Sequence, residues 1–250
     1  MKFDAIIFDL DGVLCTTDHL HYLGWKKLAD REGIYFNEII NQRLRGVSRM
    51  ESLGIILERA EKTYTEDQMV EMAAYKNDQY RLLLDSLTPE NLSKEVKTTL
   101  EMLRSKGIKL AVGSSSKNTK LILEKLGLGD FFDAIADGND ITNSKPDPEV
   151  FLLAAQRVGL PPENCLVVED AEAGILAACR GGFRSAGIGP ASVDPNATYS
   201  LNTFADLTAL VSCFGKVFVV PIFSGSSPMR LHTAEKAVWR CGEKSLWRMK

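Results

Sequence analysis

The stretch Ala5-Ile6-Ile7-Phe8-Asp9-Leu10-Asp11-Gly12 decides the fold, because a short apolar run ends in a turn that carries two acids. Four apolar residues bounded by turn-forming residues are typical of a strand buried on both faces. The pattern recurs twice, where Ile108–Val112 leads into Gly113-Ser114 and where Cys165–Val168 leads into Glu169-Asp170. The sequence therefore predicts several buried strands, each followed by polar residues.

Helical patterns separate these strands from one another. Val96, Leu100 and Leu103 recur at helical spacing, and further helical segments are predicted at 121–126, 150–158 and 171–179, with weaker strands at 133–136 and 184–188. Strands that alternate with helices form a parallel sheet with right-handed crossovers. The predicted fold class is α/β, with a doubly wound, Rossmann-like parallel sheet that binds ligands beyond the carboxyl ends of its strands.

Residues 17–87 interrupt this alternation with helical patterns only. We predict a helical cap domain inserted here, after the first strand, and a catalytic core formed by residues 1–16 and 88–213. The cap helices are expected at His19–Arg31, Asn37–Arg45, Ser48–Ala60 and Thr65–Leu84. An insertion that returns to the strand-end edge of the sheet is placed to act as a lid.

Composition and charge narrow the class of protein. The 250 residues are 45% hydrophobic and 25% charged, and the formal net charge is −3. These values are ordinary for a globular protein, and they give no basic footprint for nucleic acid. Because the apolar stretches are too short to cross a bilayer, we expect a cytoplasmic protein without membrane association.

The C-terminal segment, residues 214–250, differs from the rest of the chain in charge. Basic residues outnumber acidic ones there, whereas the preceding residues are acidic overall. Trp239 and Trp247 among scattered basic residues are compatible with a membrane-surface or partner-binding helix. We expect instead a loosely ordered extension outside the catalytic core.

Four acids follow the predicted strands: Asp9, Asp11, Glu169 and Asp170. Asp and Gly are common turn residues, so the first pair alone is compatible with an ordinary turn. Gathered at one edge of a sheet, however, four like charges require a compensating cation. Carboxylate oxygens suit hard divalent cations, so these acids predict a metal site, with Mg²⁺ as the expected ion.

Ser114-Ser115-Ser116-Lys117-Asn118 lies where a predicted strand enters a helix. One interpretation is that a serine caps the helix, and the other is that hydroxyl and backbone N–H groups bind phosphate. Lys145, which precedes Pro146, is by itself an ordinary loop lysine. Close to the acids and a phosphate, it would balance negative charge.

In this order, Asp9-Leu10-Asp11-Gly12-Val13, Ser114, Lys145-Pro146 and Glu169-Asp170 resemble the four motifs of the haloacid dehalogenase-like phosphotransferases. The resemblance extends over residues 1–213. It implies that Asp9 is a nucleophile, that Asp11 is a general acid and base, and that Ser114 and Lys145 hold the transferring phosphate. It also implies that Mg²⁺ is bound by Asp9, Asp11 (through its backbone carbonyl), Glu169 and Asp170.

Within this family, residues 44–49, 76–78, 114–118 and 132–137 resemble the β-phosphoglucomutases. A mutase that works through a bisphosphate needs a second phosphate site, and arginine suits bidentate phosphate contacts. Arg49 alone would be interpreted as an exposed arginine of the lid. The residues that the resemblance implies in sugar and phosphate binding are Trp25, Gly46, Val47, Arg49, Lys76, Ser114, Ser115, Ser116, Lys117, Asn118 and Lys145.

The resemblance further implies that Thr17 lies in the hinge and that His21 and Lys76 position Asp11. Thr16 departs from the family pattern, which has an acid there, and this bears on hinge geometry or substrate tuning. The implied activity interconverts β-D-glucose 1-phosphate and glucose 6-phosphate through an aspartyl phosphate and the 1,6-bisphosphate, in a monomer. The alternatives are a Mg²⁺-dependent sugar-phosphate phosphatase of the same fold and a non-catalytic sugar-phosphate-binding module.

Overall fold

The computed structural model describes residues 3–44 and 47–212. In this part of the chain, six parallel strands form a sheet in the order β3-β2-β1-β4-β5-β6. The strands are β1 (Ala5–Phe8), β2 (Lys109–Gly113), β3 (Ala134–Ala136), β4 (Cys165–Glu169), β5 (Arg184–Gly187) and β6 (Tyr199–Ser200). The predicted α/β fold with a parallel sheet is therefore confirmed, and the two-residue β6 is an addition.

Four helices follow β1, a fifth helix then leads into β2, and the remaining helices alternate with or follow the later strands. The first group is α1 (Asp18–Glu32), α2 (Glu38–Gln42), α3 (Arg49–Leu57) and α4 (Glu66–Leu84). The second group is α5 (Lys94–Ser105), α6 (Thr119–Lys125), α7 (Glu149–Val158), α8 (Glu172–Arg180) and α9 (Leu207–Ser212). We refer to α1–α4 and the loops between them as the helical insertion.

Local sequence explains where the helices of the insertion begin. The Asn37 side chain accepts a hydrogen bond from the Ile40 N–H, and Ser48 and Glu51 form a reciprocal capping box. The C-terminal ends differ from the prediction, since α2 ends at Gln42 and α3 at Leu57. Both helices give way to turns, which apolar spacing alone does not reveal.

The register of the sheet brings three strand ends together. Phe8 at the end of β1 pairs with Val112 of β2 on one side and with Val168 of β4 on the other. Because the strands are parallel and in register, the residues that follow them, Asp9, Ser114 and Glu169, lie at one edge of the sheet. Apolar side chains cover both faces of the sheet in two clusters and fix this arrangement.

The helical insertion has an apolar cluster of its own. Trp25 and Leu28 of α1 pack with Leu53 of α3 and Met72 of α4, and all four are buried. A separate cluster is what an inserted unit needs in order to hold its shape beside the sheet.

The boundaries at residues 16–17 and 87–88 remain predictions, and the predicted extension at 214–250 lies outside the described residues. Among the helices described, none has the length and apolarity that a membrane span requires.

Candidate active site

An acidic cluster with one lysine lies at the ends of β1 and β4. Lys145 Nζ donates to Asp9 Oδ1 at 2.5 Å and to Glu169 Oε1 at 2.7 Å, and all three side chains are buried. Ligand oxygens of Asp9, Glu169 and Asp170 lie within 4.8 Å of one another. One ammonium group therefore bonds to two of three clustered carboxylates, an arrangement that can take a further cation.

Burial and mutual repulsion shape the ionisation of this cluster. Burial raises the pKa of Asp9 well above its usual range, Lys145 opposes that shift, and the carboxylates of Glu169 and Asp170 add to it. Burial alone would lower the pKa of Lys145, but Asp9 and Glu169 outweigh it and raise that pKa. Lys145 therefore stays charged, and a bound cation would favour the ionised form of Asp9.

Two glycines allow the carboxylates to approach the loops. Gly12 has a φ of +79°, and a Cβ there would lie 2.1 Å from Asp170 Oδ2. A Cβ on Gly174, in the first turns of α8, would lie 1.8 Å from Glu169 Oε1. Both positions therefore exclude larger side chains. Gly174 was missed by the sequence analysis, and the only signal was a glycine inside a predicted helix.

The Asp11 carboxylate is directed toward the helical insertion. Its Oδ1 accepts hydrogen bonds from Thr17 N at 2.8 Å and from Thr17 Oγ1 at 2.5 Å, and its Oδ2 lies 3.7 Å from His21 Nε2. Burial raises the pKa of Asp11, and the hydrogen bonds from Thr17 oppose the shift. The side chain thus lies apart from the three-carboxylate cluster, and metal binding by its backbone carbonyl remains a prediction. Thr16 is exposed.

Tyr80, which was not among the predicted site residues, supports this arrangement. Its hydroxyl lies 2.8 Å from Thr17 Oγ1, and both side chains are fully buried. Since the single Thr17 hydroxyl proton is donated to Asp11, the Tyr80 hydroxyl must donate to Thr17. A chain of hydrogen bonds therefore runs from α4 through the start of α1 to Asp11. In the sequence, Tyr80 is an ordinary apolar-face residue of a helix.

His21 and Lys76 form a weakly charged pair beside Asp11. Lys76 Nζ lies 2.8 Å from His21 Nδ1 and faces the rings of Trp25 and Tyr80 at 4.7 and 4.6 Å. Burial, reinforced by Arg49, lowers the pKa of Lys76 to about 7. Burial and then the charge of Lys76 lower the pKa of His21 well below its usual value. Neutral His21 accepts from Lys76 at Nδ1, which leaves its Nε2 proton facing Asp11.

The loop after β2 consists of two tight hydroxyl turns. Ser114 Oγ accepts from Ser116 N and Ser116 Oγ accepts from Asn118 N, each at 3.2 Å. The residue that caps α6 is Asn118, without a side-chain cap, so the alternative of a serine cap is wrong. The Ser115 hydroxyl is buried and has no hydrogen-bond partner within the described part of the chain.

Asn77 joins the helical insertion to this loop. Its Oδ1 accepts from Arg49 Nη2 at 2.8 Å and from Asn118 Nδ2 at 2.9 Å. In the sequence, Asn77 stands out only as part of a stretch of family resemblance, which implies no role for it. Arg49 and Asn118, which were predicted to share a phosphate, therefore do converge on one acceptor.

A cavity of about 570 Å³ lies between the sheet edge and the helical insertion. That volume is typical of small-molecule sites. Of the predicted site residues, those that line it are Asp9, Asp11, His21, Trp25, Val47, Arg49, Lys76, Ser114, Ser115, Ser116, Lys117, Asn118, Lys145, Glu169 and Asp170. Thr17 lies behind Asp11 rather than in the lining, and Gly46 lies outside the described residues.

The sequence of the chain matches a known protein family. Residues 3–182 match the haloacid dehalogenase-like hydrolase family. The chain belongs to this family. The motif resemblance noted in the sequence is thereby confirmed, and the chain is a haloacid dehalogenase-like enzyme, a phosphotransferase or phosphatase by class.

Individual relatives of this haloacid dehalogenase-like chain include both activities. β-Phosphoglucomutase from Bacillus subtilis is 40% identical over 206 residues, which cover 82% of this chain and 91% of the relative. The crystal structure of β-phosphoglucomutase from Clostridium difficile is similar with a TM-score of 0.77 and 38% identity, covering 82% and 93%. A phosphorylated carbohydrates phosphatase from Thermotoga maritima is 33% identical, covering 74% and 82%.

Proposed function

We propose that the protein is a β-phosphoglucomutase, which interconverts β-D-glucose 1-phosphate and glucose 6-phosphate. The observation that carries the proposal is that one cavity is lined by two separate groups of side chains whose chemistry suits phosphate. Ser114 and Lys145 accompany Asp9, whereas Arg49, Asn118 and their neighbours Ser116 and Lys117 form a second group. A monophosphatase requires only the first group, and a bisphosphate intermediate uses both.

Asp9 is the proposed nucleophile. One of its carboxylate oxygens attacks the phosphorus of the bisphosphate in line, a P–O bond to the carboxylate forms, and the P–O bond to the sugar oxygen breaks. A hydroxyl of the next sugar monophosphate to bind then attacks the aspartyl phosphate, takes the phosphoryl group and returns Asp9 to its starting state. Lys145 contacts Asp9 directly and places positive charge beside the transferring group.

The cluster of Asp9, Glu169 and Asp170 fits Mg²⁺. Their oxygens lie within 4.8 Å of one another and form a hard, anionic donor set, which Mg²⁺ prefers over softer ligands. When bound, Mg²⁺ would neutralise phosphoryl oxygen charge. The role of the protein is to hold the three carboxylates together, with Lys145 supplying positive charge beside Asp9 and Glu169.

Asp11 is the proposed general acid and base. It protonates the sugar oxygen that leaves and deprotonates the hydroxyl that attacks. For this role, the carboxyl group must turn from Thr17 toward the substrate. His21 Nε2 lies 3.7 Å from Asp11 Oδ2, so its N–H is placed to donate a hydrogen bond to the carboxylate after that turn. We propose that the helical insertion closes as a cap over the sugar, beside Trp25 and Val47, and keeps water from the phosphorylated Asp9.

A sugar-phosphate phosphatase is the second candidate, and the Thermotoga maritima relative favours it. It would share Asp9, Asp11 and the metal site and would transfer the phosphoryl group to water. A non-catalytic sugar-phosphate-binding module is disfavoured, because Asp9, Lys145 and Glu169 retain buried, directly bonded contacts. The predicted monomeric state and cytoplasmic location stay predictions.

The test is a coupled assay of glucose 6-phosphate formation from the pure β-anomer of glucose 1-phosphate, with Mg²⁺ and a trace of bisphosphate. We expect glucose 6-phosphate as the main product and little inorganic phosphate. The α-anomer serves as the matched control. Release of glucose and inorganic phosphate alone would identify a phosphatase instead.

A further inference from the structure

Asn77 occupies an unusual place between two phosphate-binding side chains. It lies in α4 of the helical insertion, next to Arg49 at the start of α3 and opposite Asn118 in the loop after β2. All three side chains line the cavity. Arg49 Nη2 and Asn118 Nδ2 both donate to Asn77 Oδ1, at 2.8 and 2.9 Å. A single carboxamide oxygen is therefore the shared acceptor of a cation and an amide from opposite sides of the cavity.

The chemistry of this acceptor is mismatched to Arg49. A carboxamide oxygen is neutral, whereas a guanidinium group bonds more strongly to an anionic oxygen such as that of a phosphate monoester. Partial burial deprives Arg49 of water and lowers its pKa, so an acceptor is needed whenever no ligand is present. Two lone pairs allow Asn77 Oδ1 to satisfy both donors at once.

We propose that Asn77 is an exchangeable acceptor, which holds Arg49 and Asn118 in place in the absence of ligand and is replaced by a phosphate oxygen. This proposal rests on the proposed function, since it assigns the second phosphate group of a sugar bisphosphate to these donors. The hydrogen bonds from Arg49 and Asn118 to Asn77 break, and equivalent bonds to the phosphate form. The same exchange breaks the hydrogen bond that joins α4 of the helical insertion to the loop after β2. The bound phosphate then connects the two instead.

An exchangeable acceptor and a fixed positioning group predict opposite results for Asn77→Ala. If Asn77 competes with phosphate, its removal leaves affinity unchanged or raises it up to about threefold. Asn77→Asp places an anion on Arg49 and is expected to weaken phosphate binding at least tenfold. If Asn77 only orients Arg49, then Asn77→Ala weakens binding as Arg49→Ala does.

The experiment measures glucose 6-phosphate binding to the full chain by titration calorimetry with Mg²⁺ present. Gln79→Glu is the matched control, because it adds the same charge two residues along α4, at a side chain that pairs with Lys27 outside the cavity. We expect Gln79→Glu to bind within twofold of the wild type. Circular dichroism spectra establish that each variant is folded.

The outcomes separate this proposal from the proposed function. Unchanged or tighter binding in Asn77→Ala, with weaker binding in Asn77→Asp and Arg49→Ala, supports the exchange. Weaker binding in Asn77→Ala to the level of Arg49→Ala overturns it and leaves the second phosphate site in place. A wild-type chain that does not bind glucose 6-phosphate, or that is indifferent to Arg49→Ala, contradicts the proposed function together with the exchange.

Discussion

The two sides of the cavity handle charge in opposite ways. At the sheet edge, three carboxylates cluster, and two of them, Asp9 and Glu169, bond to Lys145 and raise its pKa. On the side of the helical insertion, burial lowers the pKa of Lys76 to about 7 and that of His21 well below its usual value. The sheet edge gathers acids around a lysine that stays charged, whereas on the side of the insertion burial disfavours the charged forms of Lys76 and His21.

Under the proposed function, this difference amounts to a division of the catalytic steps between the two sides. In the proposed mechanism, phosphoryl transfer needs charge beside the reacting phosphorus, and the groups at the ends of β1 and β4 are placed to supply it. In that proposal, proton transfer to and from sugar oxygens falls to Asp11, whose pKa is raised by burial, as suits a group that must both gain and lose a proton. Asp11 lies between the two sides, bonded to Thr17 and near His21.

Asp9→Asn gives the largest expected effect and tests whether the chemistry lies at the sheet edge. The amide cannot serve as the nucleophile, so turnover is expected to fall by at least about 10⁴-fold with no phosphoenzyme formed. Steady-state assays and acid-quenched labelling with ³²P-bisphosphate measure both quantities. Asp85→Asn is the control, because Asp85 is exposed and pairs with Lys125 away from the cavity. Turnover within tenfold of the wild type would contradict the assignment.

Lys145→Met tests the charge balance of the sheet edge. Removal of one partner from a buried ion pair costs about 3–5 kcal/mol, and activity is expected to fall about 10²- to 10³-fold. The remaining carboxylates repel one another, so added Mg²⁺ should raise the Tm of the variant more than that of the wild type. Calorimetry with and without Mg²⁺ checks this, with Lys125→Met as the control. Equal increases in Tm would show that Lys145 does not balance the cluster.

Lys76→Met tests the lowered pKa of Lys76 through the pH dependence of folding stability. The Lys76 pKa is about 7 in the folded protein and about 10.4 in an unfolded chain. Between these values the unfolded chain binds a proton that the folded protein lacks, so wild-type stability gains up to about 1.4 kcal/mol per pH unit from this group. The stability of Lys76→Met relative to the wild type should therefore decline from pH 7.5 to 9.5. Denaturant unfolding at several pH values measures it, and a constant difference would refute the low pKa.

Tyr80→Phe gives the smallest effect and tests whether the insertion positions Asp11. The variant keeps the ring that stacks on His21 but removes the donor to Thr17. We expect kcat to fall about three- to tenfold at an unchanged KM, because only the orientation of Asp11 is loosened. Tyr75→Phe on the same helix is the control and should match the wild type. A change in KM alone would assign Tyr80 to substrate binding.

Much of the sheet edge could be predicted from sequence, because its signals are local. Asp9 directly follows the apolar run of β1, and Glu169 ends that of β4, so a parallel sheet brings them together. The helical insertion was less predictable. On the 19-residue helix α4, Asn77 is one polar residue and Tyr80 one aromatic residue among several. Their partners, Asn118 and Thr17, lie far away in the chain. Only the packing of α4 against α1 and the loop after β2 selects them. The end of α2 and strand β6 were also missed, since short elements depend on tertiary contacts.

The most direct test of the account follows both possible products in one reaction by ³¹P NMR. The full chain is supplied with β-D-glucose 1-phosphate, Mg²⁺ and a trace of β-glucose 1,6-bisphosphate. If Asp9 passes the phosphoryl group to a sugar held by Arg49 and Asn118, the glucose 6-phosphate signal grows as that of the substrate declines, and inorganic phosphate stays minor. Inorganic phosphate as the main product would contradict the account, because the phosphoryl group would then pass to water.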